Sequence, residues 1–79
     1  MKMNKESVQK GDIMSVARVT KVVASSPHGW KEAVDEAIKR AAKTLRNITG
    51  LEILEQKAMI EDGRIIEYRV TINIMFWLE

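Results

Sequence analysis

Residues 64–78 keep a two-residue alternation through fifteen consecutive positions. Ile66, Tyr68, Val70, Ile72, Ile74, Phe76 and Leu78 fall on one side, and Glu67, Arg69, Thr71 and Asn73 on the other. Side chains of an extended chain point alternately to opposite faces, so the pattern predicts one long β-strand with one buried face. Strands commonly have about 5–6 residues. A strand of this length reaches roughly 50 Å at about 3.3 Å per residue, further than any helix the rest of the chain can lay across it. The overhang calls for a partner from another subunit.

The chain has 79 residues, one domain at most. A domain of that size buries only about 60% of its unfolded surface and is marginal by itself. With no cysteine, disulfides, thiolate metal sites and cysteine nucleophiles are excluded, which leaves oligomerisation as the remedy in keeping with the long strand. No apolar run approaches the roughly 18 residues of a membrane span, and the first fourteen residues lack the apolar middle of a signal peptide. The expected location is cytoplasmic. Thirteen Lys and Arg stand against eleven Asp and Glu, for a net charge of +2, and the basic residues group only at Lys39, Arg40, Lys43 and Arg46. Neither nucleic acid nor a membrane is expected as a partner.

Residues 1–14 are polar and without periodicity, and read as a disordered leader ahead of a single domain over 15–79. Val16, Val19, Thr20, Val22 and Val23 favour a first strand. The segment ASSPHG at 24–29 breaks it, with Ser26 as the expected N-cap and Pro27 at the first helical position. Trp30, Ala33, Val34, Ala37, Ile38, Ala41, Leu45 and Ile48 then recur at steps of three and four, an apolar helical stripe expected to run to the vicinity of Gly50. On its polar side Asp35 with Lys39 and Glu36 with Arg40 are acid-before-base pairs at i, i+4. Residues 51–60 are extended again, and Asp62 and Gly63 form a two-residue hairpin signal of type I′. The order is β-α-β-β. Such a unit is an α+β fold, with one helix on one face of a three-stranded antiparallel sheet and the first strand beside the long third one. Its odd-numbered face, ending in Met75 and Trp77, lacks a covering layer within the chain.

Catalytic constellations do not emerge, and no enzyme activity is expected. His28 is the only histidine, which excludes an imidazole metal cluster and leaves a serine triad one residue in a loop. The carboxylates Glu52, Glu55, Glu61, Asp62 and Glu67 scatter over both faces. The four glycines are isolated, so no phosphate-cradling loop is present. Trp30 belongs to the apolar stripe, whereas Trp77 lies on the open face, where it meets either a neighbouring subunit or a ligand.

From about residue 16 to 79 the chain resembles the dodecins. The likeness is carried by SSPHGWKEAV at 25–34, RAAKTLRNI at 40–48, Asp62 and Gly63 followed by YRVTI at 68–72, and FWLE at 76–79. It implies a hollow homododecamer, helices outside and sheets lining the interior, that binds flavin (FMN or riboflavin) in pairs near its two-fold axes as a store. In the family a tryptophan at the start of the second strand stacks on the flavin and a glutamine in the third strand hydrogen-bonds its ring; these positions correspond here to Gly50 and Arg69. The implied pocket is Gly50, Leu51 and Glu52 with Arg69 as the polar contact. Glycine offers no stacking surface, and arginine only donates hydrogen bonds where glutamine also accepts. Branches without the tryptophan exist, and this chain is similar to them. The alternative is therefore a cage of the same fold that binds a cation such as calcium or an acidic cofactor such as coenzyme A.

Overall fold

A computed structural model describes residues 14–78. The leader expected at 1–14 thus falls outside the described residues except for Met14, which is almost fully exposed. Strand β1 spans Ala17–Ser26, helix α1 Trp30–Ala41, strand β2 Ile48–Glu61 and strand β3 Arg64–Trp77. β3 lies in the middle of a sheet of order β1-β3-β2 and is antiparallel to both neighbours. Its β-branched and aromatic content suits this central place, where both backbone edges are hydrogen-bonded. Asp62 (φ 53°) and Gly63 (φ 74°) are both left-handed, as a type I′ turn requires, and set β2 against β3 from the pair Glu61 and Arg64 onward.

The core sits where α1 crosses the inner face of β3. Val70, Ile72 and Ile74 of β3 and Ala33 of α1 are fully buried. Val22 and Ala24 from β1, Val34, Ala37, Ile38 and Ala41 from α1, and Leu45 and Ile48 beyond it pack around them. Ala33 faces the sheet with only a methyl group, which lets the helix approach β3 closely. On the outer side of α1, Glu36 accepts from Arg40 Nε at 2.7 Å and Asp35 from Lys31 Nζ at 2.8 Å. The expected partner of Asp35 was Lys39; Lys31, one turn earlier, holds it instead. The hydrogen bond with Arg40 keeps the Glu36 carboxyl below its usual range, and that with Asp35 raises the Lys31 ammonium.

The helix ends at Ala41, well short of the vicinity of Gly50. The amides of Lys43 and Thr44 bond carbonyls three residues back, those of Arg40 and Ala41, so the last turn tightens and the chain leaves the helical path. Leu45 and Ile48 still reach the core, from a turn and a strand rather than from a longer helix. At the other end Ser26 does not cap α1. It closes β1, and its Oγ accepts the His28 amide at 2.9 Å, while Gly29 takes the N-cap position without a side-chain bond.

Twelve helical residues cover about 18 Å, and the fourteen of β3 extend roughly 46 Å. The inner face of β3 is consequently buried only in its middle. Ile66 and Leu78, expected in the core, are half-exposed near its two ends. Ile66 is also the extra residue of a bulge, since Met59 pairs with Glu67 and Ile60 with Ile65. The molecule measures 57 × 27 × 15 Å, with Ile53 half-exposed beside Trp30 and Val34 at the flank of the helix and Leu54, Ile60 and Ile65 exposed elsewhere on the hairpin. Ile72→Ala, at the centre of the small core, is expected to cost about 2–5 kcal/mol in urea denaturation followed by far-UV circular dichroism.

Candidate functional site

The face of the sheet turned away from α1 is built from cross-strand rows. Register places Ala17 beside Trp77, then Val19, Met75 and Gly50 in one row, Lys21, Asn73 and Glu52 in the next, Val23, Thr71 and Glu55 after that, and Ser25, Arg69 and Lys57 beyond. Among the described residues no element covers this face. Val19, Val23, Met75 and Trp77 are exposed on it, mixed with three carboxylates and three cations. The apolar end lies toward the C-terminus of β3 and the charged end toward its start.

At the charged end Arg69 and Lys57 are direct cross-strand neighbours, a like-charge pair that is unfavourable unless countered. Each cation has its own carboxylate two residues away on its strand. Arg69 Nε and Nη2 both reach Glu67 Oε2 at 3.1 Å, and Lys57 Nζ lies 3.6 Å from Glu55 Oε1. From the helix side Trp30 Nε1 donates to the Lys57 carbonyl at 3.0 Å, and its ring meets Tyr68 edge-on at 4.9 Å. This indole ties the start of α1 to the row that carries Arg69.

At the apolar end Gly50 sits directly opposite Met75. A Cβ on Gly50 would stand 3.0 Å from Met75 Cε, so the thioether methyl lies over the glycine. The close of β3 is fixed on both sides. The Trp77 amide donates to the Asn47 carbonyl at 3.1 Å, and that of Leu78 to the Val16 carbonyl at 2.8 Å. Asn47, left-handed at φ 62°, also reaches the Trp77 carbonyl with Nδ2 at 3.4 Å.

Of the four site residues expected from sequence, Gly50 and Glu52 share the open face. Leu51 points to the helix side opposite Ile74. Arg69 lies six positions from Met75 along β3, about 20 Å away, so one chain does not bring it to Gly50. Sequence reasoning placed Asn73 and Met75 on this face and passed over Lys21 and Lys57 as members of it. Alternation assigns each to a face, but only the register, with its extra residues at Thr49 and Leu54, shows which of them are neighbours. Among the described residues no three histidine, cysteine or carboxylate side chains converge as a metal site, and no helix is long and apolar enough to cross a membrane.

Helix, sheet order and faces define a class: a small α+β protein of β-α-β-β order whose sheet is covered on one side and open on the other. The dodecin family model matches residues 16–79. A dodecin structure from Streptomyces coelicolor superposes with a TM-score of 0.78 at 38% identity, over 82% of this chain and 93% of that one. The dodecin of Thermus thermophilus is 33% identical over 81% of this chain and 93% of its own length, and the calcium dodecin of Mycobacterium tuberculosis 30% over 80% and 89%. The chain belongs to the dodecin family.

The Trp30 tether has a measurable weight. Trp30→Phe keeps a ring against Tyr68 but leaves the Lys57 carbonyl without its donor, and is expected to cost about 1 kcal/mol in thermal or urea denaturation.

Proposed function

We propose that this protein is a non-catalytic binding protein of the cytoplasm that assembles into a hollow homododecamer and sequesters flavin, as riboflavin or FMN. The observation that carries the assembly is the mismatch between α1 and β3, which leaves both ends of β3, the hairpin and a whole sheet face for other subunits to cover. Twelve chains also match the family reading. Flavin as cargo rests on membership of the family and on an open face that is apolar at one end and hydrogen-bonding beside it, near Gly50 and Glu52. Leu51 backs this region from the core side.

A second reading has a specific observation in its favour. Gly50 offers no aromatic surface, and one of the relatives is a calcium dodecin. The same cage would then hold calcium, with Glu52 and Glu55 contributed by more than one copy because the described residues of one chain gather no set of three metal ligands, or an acidic cofactor such as coenzyme A at the neighbouring Lys57 and Arg69.

Light scattering of the full chain is expected to give twelve subunits of 9.0 kDa, about 108 kDa; a mass of one or two chains would contradict the cage. Riboflavin fluorescence is expected to be quenched at micromolar protein. An unquenched titration with a colourless preparation would instead favour the calcium or coenzyme reading, and calorimetry with calcium chloride and with coenzyme A separates those two. Gly50→Trp, whose Cβ meets the flexible end of the Met75 side chain, is expected to tighten riboflavin binding by about tenfold.

A further inference from the structure

We infer that Met75 and Trp77 supply the surface on which the flavin ring stacks, and that Lys21, Asn73 and Glu52 in the adjoining row supply the contacts to its polar edge. The inference rests on the flavin reading and assigns its contacts to residues of this chain.

Met75 already occupies the volume a side chain at position 50 would fill, with Cε 3.0 Å from the place of that Cβ. Above Gly50 the surface is therefore a polarisable thioether, a group that makes favourable contacts with aromatic rings. Trp77 follows on the same face about 7 Å along the strand. Its neighbour on β1 is Ala17, too small to cover an indole, and 43% of its surface is exposed. Its backbone is held on both sides by the bonds to Asn47 and from Leu78 to Val16. An indole on this fixed backbone and a thioether one step away form a shelf of the breadth of a fused ring system. Exposed apolar groups of this size, grouped on one face, mark a binding surface.

The row next to Met75 has the chemistry of the ring's other end. A flavin carries two carbonyl groups flanking an imide N–H on one edge. The Asn73 amide both donates and accepts, the Lys21 ammonium donates and the Glu52 carboxylate accepts. Arg69 lies four positions further along β3, about 13 Å beyond Asn73, and is engaged with Glu67.

Trp30→Phe leaves Trp77 as the only tryptophan. Titrating that chain with riboflavin is expected to quench both the flavin and the Trp77 emission. Trp77→Ala and Met75→Ala should each weaken riboflavin binding by about tenfold at unchanged mass by light scattering, Trp77→Phe should restore most of it, and Asn73→Ala should weaken it several-fold. If riboflavin is quenched while Trp77 emission stays constant, or if binding survives Trp77→Ala and Met75→Ala but is lost in Arg69→Ala, the shelf is overturned and the flavin reading stands. If the unsubstituted chain leaves riboflavin fully fluorescent, both are overturned together.

Discussion

Everything in this molecule is arranged about β3. It is hydrogen-bonded along both edges, and its alternate side chains serve two different purposes. Those at 70, 72 and 74 meet the helix and make nearly all of the buried core, and those at 69, 73, 75 and 77 make the open face. One strand thus couples stability and surface chemistry. A substitution on either side acts on a backbone that the other side also depends on.

The length of this strand against α1, the one helix among the described residues, sets the energetics. Four side chains fully removed from water among the described residues contribute of the order of 1.5–3 kcal/mol for each large one, a small favourable sum against the entropy of ordering such a chain. Ile53, Leu54, Ile60, Ile65 and Ile66 of the hairpin remain exposed. If the proposed assembly covers them, subunit packing is part of the fold rather than an addition to it. The open face follows from the same arrangement, because the one helix among the described residues covers only one side of the sheet.

Most of this architecture was legible in the sequence. The alternation of 64–78, the β-branched run before Ser26 and the turn at Asp62 and Gly63 gave the strand order and identified the core face. The end of the helix was not legible, because Leu45 and Ile48 continue the three-and-four spacing of the stripe although they reach the core from a turn and a strand. Ser26 misled for a related reason. A serine ahead of proline fits an N-cap, but the same hydroxyl can accept the His28 amide and close a strand. At the site, the sequence shows that Gly50 lacks a side chain but not what covers it. That depends on the register, and each bulge, at Thr49, Leu54 and Ile66, shifts the pairing by one residue without disturbing composition. The pairing of Arg69 with Glu67 is one that the alternation allows, since residues two apart on a strand share a face.

If the long strand is stable only when other subunits cover it, unfolding of this protein depends on its concentration. Urea unfolding measured over a hundredfold range of protein concentration should show a midpoint that rises with concentration, because a folded chain that exists only in the assembly is stabilised by mass action. A cooperative transition at one fixed midpoint throughout, with the protein monomeric by light scattering, would contradict the account.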